Sequence, residues 1–208
     1  MPVRFAAGMA GVPVQGLSGT VWQGQAQLDA GHLAIWDVAA RDSLLTLALV
    51  MDVQVTGPQT RLTGRVAVRP TQVVIGPVSG QAAWPLLAAV VPGLAIVCDN
   101  VADVRIGSVI LTRAARTGVG RVMVGDGFCD RVDGTVTRVP VPALVVDITT
   151  VEDGVEAVVT HDATPLLTAR ITNDDRAKIT ILAAGAALVP GMPSSADSQI
   201  DLPLNMLR

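Results

Sequence analysis

Apolar and polar residues alternate with a period of two along most of the chain, the signature of half-buried β-strands. In Gly19–Leu28, Trp22, Gly24, Ala26 and Leu28 share one phase, and Gln23, Gln25 and Gln27 form a glutamine ladder on the other. A turn at Asp29–Gly31 leads into a partner strand at His32–Val38, and Trp22 and Trp36, each on the apolar phase of its strand, are expected to pack on the same inner face of this first hairpin. The alternation returns in Ser43–Val55, with Leu45, Leu47, Leu49, Met51, Val53 and Val55 in phase, and Gly57-Pro58 punctuates it. Arg61–Arg69 then sets Leu62, Gly64, Val66 and Val68 against Arg61, Arg65 and Arg69. Further strands are expected at Leu94–Cys98, Asp103–Thr112, Gly118–Val124, Gly134–Val139, Ala143–Thr150, Val155–Asp162, Leu166–Thr172 and Arg176–Ala183. Turn dipeptides at Asp126-Gly127, Asp133-Gly134 and Asp153-Gly154 and the triplet Asn173-Asp174-Asp175 separate them.

One segment departs from this period. Gln81–Val91 spaces Trp84, Leu86, Leu87, Val90 and Val91 as a helix does, with Ser79 as a cap and Pro92-Gly93 as a stop. The expected fold is therefore all-β: a single, mostly antiparallel, strongly curved or twisted sheet of about 10–12 strands with one short helix. Residues 1–190 read as one domain, and the Ser-, Pro- and Asp-bearing stretch 191–208 reads as a loosely ordered tail. No strict internal repeat is found.

Composition narrows the function. The 208 residues are 50% hydrophobic and 16% charged, enough apolar mass for a folded domain. Three Trp, two Phe and no Tyr leave few stacking platforms for single-stranded nucleic acid. A net charge of −3 removes the basic footprint that duplex binding needs, so no nucleic-acid partner is expected. No apolar run is long enough to span a bilayer as a helix.

Candidate chemistry is sparse. His32 and His161 are the only histidines available as a general base. Ser18, in Gly16-Leu17-Ser18-Gly19-Thr20, lacks the glycine placement of a nucleophile elbow. His161 and Asp162 are sequence neighbours and, on a strand, would point to opposite faces. Cys98, Cys129 and the histidines show no short metal-ligand spacing. Asn173-Asp174-Asp175 lacks the glycine and distal glutamate of a calcium loop and reads as a hairpin turn. Gly118-Val119-Gly120, between Arg116 and Arg121, lacks the strand-to-helix setting of a dinucleotide site. Glu152 and Glu156 are the only glutamates, so paired carboxylates for glycosidic chemistry have no evident home. No catalytic, cofactor or metal residues are assigned. Cys98 and Cys129, each followed by Asp near an expected strand end, fit either one disulfide or two separate buried thiols.

The run Gly16-Leu17-Ser18-Gly19-Thr20-Val21-Trp22-Gln23-Gly24-Gln25-Ala26 resembles the opening motif of the type II secretion system protein N family, with Gly19, Trp22 and Gly24 at its fixed offsets. Trp36, followed by Leu44-Leu45, is similar to the family's second element, and Ala177–Gly191 resembles its closing strand. The resemblance implies a periplasmic domain of an inner-membrane protein. Its membrane attachment would be an N-terminal helix that this chain lacks. Its work would be non-enzymatic, as a connector between the inner-membrane assembly platform and the outer-membrane secretin, with those components as partners and no cofactor. It also implies an oxidising compartment, and with it a Cys98–Cys129 bridge. A second reading is an envelope carrier that binds lipid or another apolar ligand in a β-groove.

Overall fold

A computed structural model describes residues 14–86, 96–112, 114–131, 137–188 and 195–203. Among these residues sixteen strands form two sheets. In chain order they are β1 (Val14–Gly19), β2 (Gln23–Leu28), β3 (Leu33–Val38), β4 (Leu49–Gly57), β5 (Thr60–Arg69), β6 (Gln72–Ala83), β7 (Ile96–Cys98) and β8 (Val101–Thr112). Then follow β9 (Arg116–Val124), β10 (Gly127–Arg131), β11 (Thr137–Val141), β12 (Leu144–Val151), β13 (Gly154–His161), β14 (Thr164–Thr172), β15 (Arg176–Ile181) and β16 (Ser198–Pro203). Thirteen of them make one antiparallel sheet, ordered β1-β2-β3-β4-β5-β6-β8-β9-β12-β13-β14-β15-β16, which does not close into a barrel. The remaining three form a small sheet, β11-β10-β7. The all-β class, the antiparallel layout and the scarcity of helix are as the alternation dictates.

Register carries the alternation across the whole sheet. Val53 faces Gly64, Gly64 faces Val78, Val78 faces Ile106 and Ile106 faces Gly120, so one face stays aliphatic from strand to strand. Beyond β9 it continues through Val146, Val159, Leu167 and Ile181. The opposite face is polar and tied by cross-strand ion pairs: Asp52–Arg65, Arg121–Asp147, Glu156–Arg170 and Arg176–Asp201. These pairs are largely exposed, so water and salt screen them and each adds little stability, but they oppose register slips that would set like charges together. Asp52 raises the Arg65 pKa mainly by side-chain hydrogen bonding, and Asp147 does the same for Arg121. The buried core among the described residues is thin. Its members are mostly alanine and valine, with Leu166 the largest aliphatic side chain.

A line of irregularity crosses the middle of the sheet. Register shifts between Gly64 and Val66 on β5 and between Ile106 and Ser108 on β8, with Gly76-Pro77 on the strand between them. Gly76 has φ 122°, and a Cβ there would press on the backbone of Gly107 and Ser108, so the position requires glycine.

The structure corrects several sequence expectations. The strand expected at Gly19–Leu28 is a hairpin turn followed by β2. Gly19 has positive φ, and the Thr20 hydroxyl accepts the N–H groups of Trp22 and Gln23, which ends β1 and starts β2. Ser43–Thr46, expected as strand, belongs to a seven-residue helix, α1 (Ala40–Thr46), which Leu47 ends in the left-handed conformation. Its leucines 44 and 45 are exposed, so the i, i+2 leucine spacing there does not report a sheet face. Of the helix expected at Gln81–Val91, Gln81–Ala83 complete β6 and residues 84–86 are helical, while 87–91 lie outside the described residues. Ser79 is a β6 residue whose carbonyl accepts from Thr63, not a helix cap. Strands β1, β6, β10 and β16 exceed the expected count, and β16 lies within the stretch read as a loose tail. Another short helix, α2 (Ala183–Ala186), packs on β14, with a Cβ at Gly185 blocked by the Leu166 backbone.

Two substitutions test this packing. Val104→Ala, in the thin core, should cost about 2 kcal/mol in urea unfolding. Gly24→Val should cost about 1–3 kcal/mol, because a side chain there overlaps the Trp36 ring.

Candidate functional site

Antiparallel order puts the connections of the large sheet at two ends. The helix α1, the β1–β2 turn and the 173–175 turn lie at one end. The inserts after β6 and after β9 both emerge at the other, and there they build the three-stranded sheet. In it Cys98 and Cys129 are register partners and are joined by a disulfide. Neighbouring side chains fasten the same junction. The Asp99 carboxylate accepts the Phe128 N–H at 2.6 Å, and Asn100 Nδ2 donates to the Gly125 carbonyl at 2.6 Å. Arg138 pairs with Asp99 at 3.3 Å and lies over the Phe128 ring, 4.5 Å from its centroid. The aspartate after Cys98 thus pins the strand that carries the partner cysteine.

The glycine–tryptophan motif folds as the first hairpin. Gly19 makes the turn, and Gly24 leaves room for the Trp36 ring, whose Nε1 donates to the Thr20 carbonyl at 3.3 Å. Trp22 does not join it. Expected to pack beside Trp36 on the inner face, it lies in the turn and is 64% exposed. The turn displaces it from the strand phase that starts at Gln23. Its backbone carbonyl, not its ring, is the link to β3, accepting the Val38 N–H at 2.7 Å. The glutamine ladder Gln23, Gln25 and Gln27 is exposed, as the alternation requires.

The two histidines occupy different settings. His32 is fully buried, with Nε2 3.3 Å from Thr60 Oγ1, and its ring fills the space a Gly57 side chain would need. Thr60 Oγ1 also accepts the Ala83 N–H at 3.0 Å, so its own proton is available for His32 Nε2. This buried chain ties the entry to β3 to β5 and β6. His161 sits beside Asp162 with Nε2 3.4 Å from the carboxylate, because Asp162 leaves the strand at φ 46°. The expectation that the two point to opposite faces fails for that reason. The pair is open to solvent, with Asp162 89% exposed, and Nδ1 engages the Ala143 carbonyl at 2.9 Å rather than a hydroxyl or thiol.

The remaining candidates serve the fold. Asn173-Asp174-Asp175 is the β14–β15 turn. Asn173 accepts the Arg116 N–H at 2.8 Å, and Asp175 pairs with the Arg116 guanidinium. Gly118 and Gly120 are β9 residues, where a Cβ on Gly120 would crowd Ile106. Glu156 pairs with Arg170. Among the described residues no group of three or more His, Cys, Asp or Glu side chains is placed to hold a metal ion. No helix of the described residues is long and apolar enough to cross a membrane.

What the geometry offers beyond side-chain chemistry is surface. Among the described residues, β1 and β16 are the unpaired edges of the large sheet. The aliphatic face between them is for the most part only half-buried. At the α1 end, Leu44, Leu45 and Leu47 are 78%, 74% and 86% exposed.

Thiol titration of unfolded, unreduced protein should find no reactive thiol, and replacing both cysteines by serine should cost about 3.5–4 kcal/mol in the chain-entropy account of a loop this long. The Thr172 hydroxyl, by donating to Asp174, holds that carboxyl below its ordinary range. The charged form is therefore favoured by folding, and its contribution, present at neutral pH, fades as pH falls through the depressed value. Thr172→Val should return the Asp174 titration, followed by carboxyl-resolved NMR, toward that of a free aspartate.

Comparison of the chain with protein-family models, with curated proteins and with solved structures finds no match.

Proposed function

We propose that this chain is a non-enzymatic periplasmic component of a type II protein secretion system, a connector between the inner-membrane assembly platform and the outer-membrane secretin. The observation that carries the reading is the open meander. Thirteen strands end in two edges, β1 and β16, that are unpaired among the described residues, and unpaired edges recognise extended partner segments by main-chain hydrogen bonding. The motif on which the resemblance rests supports it as well. Gly19, Gly24 and Trp36 act together to shape the hairpin whose outer strand is one of those edges. The Cys98–Cys129 bridge accords with an oxidising compartment.

A second reading draws on a different observation. The aliphatic face runs unbroken across the sheet with its residues mostly half-buried, as a surface for lipid or another apolar ligand would be. The two readings separate in one set of measurements. Purified periplasmic domains of the platform proteins and of the secretin should be captured by the immobilised chain, and the eluted protein should carry no lipid by native mass spectrometry. Capture of none of these domains, with stoichiometric lipid retained, would overturn the connector in favour of the carrier.

A further inference from the structure

We propose that the outer edge of β1 is a strand-addition site, and that it takes an extended partner segment in which aliphatic and uncharged polar residues alternate. The proposal deepens the connector reading and rests on it for the partner's role, while its chemistry comes from three features of the first hairpin.

The first is backbone. The Thr20 N–H donates to the Gln23 carbonyl at 2.8 Å, so this is the hydrogen-bonded pair that closes the hairpin. Bonded and non-bonded pairs alternate along an antiparallel ladder. Ser18–Gln25 is the next bonded pair, and Leu17, opposite Ala26, turns its N–H and C=O away from β2. No strand among the described residues meets them.

The second is the absence of protection. Edge strands are ordinarily guarded by charge or proline. β1, Val-Gln-Gly-Leu-Ser-Gly, contains neither. The opposite edge, β16, carries Asp201 in an ion pair with Arg176 and ends on Pro203. The two edges are therefore unequal, and among the described residues β1 is the one left open.

The third is the side-chain setting. On the polar face, Ser18, Gln23, Gln25 and Ile35, with the backbones of Gly19 and Gly24, line a shallow depression of about 290 Å³. Glutamine amides both donate and accept, and no charged residue lines the depression, so it suits an uncharged polar side chain. On the other face, Leu17 shares its phase with Ala26, next to which an aliphatic side chain of the incoming strand would lie. A strand seated on β1 thus meets a polar surface and an apolar one in alternation.

The test uses the full chain and a ten-residue peptide of alternating Val and Thr, with a control of identical composition in which the valines form one block. The alternating peptide should bind at least tenfold tighter than the block peptide and should shift the Leu17 amide resonance. Leu17→Pro removes only an outward donor, so it should keep the melting temperature near that of the parent and lose at least tenfold in affinity. Gln25→Glu, a change at an exposed side chain that leaves β1 intact, should weaken binding of the neutral peptide by a similar factor. Equal binding of the two peptides, or undiminished binding by both variants, would overturn the proposal. Capture of the secretion domains by wild type and Leu17→Pro alike would leave the connector standing and remove β1 as its edge. Peptide binding at Leu17 without capture of any secretion domain would do the reverse.

Discussion

Cross-strand pairing between sequence neighbours is the interaction on which everything else in this protein rests. Outside the inserts after β6 and β9, each strand of the large sheet pairs with the strands immediately before and after it in the chain. The buried set of described residues is small and made mostly of short side chains. Stability must then accumulate along the sheet, hairpin by hairpin, through backbone ladders and the aliphatic contacts they align, as it does between neighbouring units of repeat proteins, although this chain has no strict repeat in sequence. The polar face contributes register more than energy. A slip of one residue at Asp52–Arg65 or Glu156–Arg170 would break an ion pair and turn aliphatic residues to solvent at once.

That dependence explains what could be read from the chain and what could not. The hairpins from β12 to β15 were legible because clean alternation is bounded by Asp153-Gly154 and by Asn173–Asp175, residue types that define turns on their own. β6 was not, because Gly76-Pro77 and Gly80 interrupt its alternation with the residues that usually end a strand, whereas here Gly76-Pro77 sit at a bulge and Gly80 pairs with Leu62 inside one continuous strand. Around Leu44, Leu45 and Leu47 the error ran the other way. Leucines two apart mimic a strand, yet the Ser43 side chain accepts the Val50 N–H and Leu47 turns left-handed, so the segment coils into α1. At Trp22 a local hydrogen bond to Thr20 decided the outcome against the phase of the strand.

The candidate site was partly legible. Alternation alone put Gln23, Gln25 and Gln27 on the exposed face, and the cysteine count raised the bridge as one of two readings. Legible only in three dimensions was that the two inserts emerge at the same end of the sheet, which follows from strand order and which no local pattern states. The buried His32–Thr60 contact joins residues 28 positions apart and left no motif to find.

The disulfide has a mechanical meaning in such a sheet. A meander under tension can unzip from either edge, one strand at a time. Cys98–Cys129 encloses β8 and β9 in a covalent ring at the centre of the strand order. A pull on the chain's two ends would bypass that hairpin, passing through the sulfurs instead, so five strands on one side and six on the other could peel while the middle pair stayed shielded from the load.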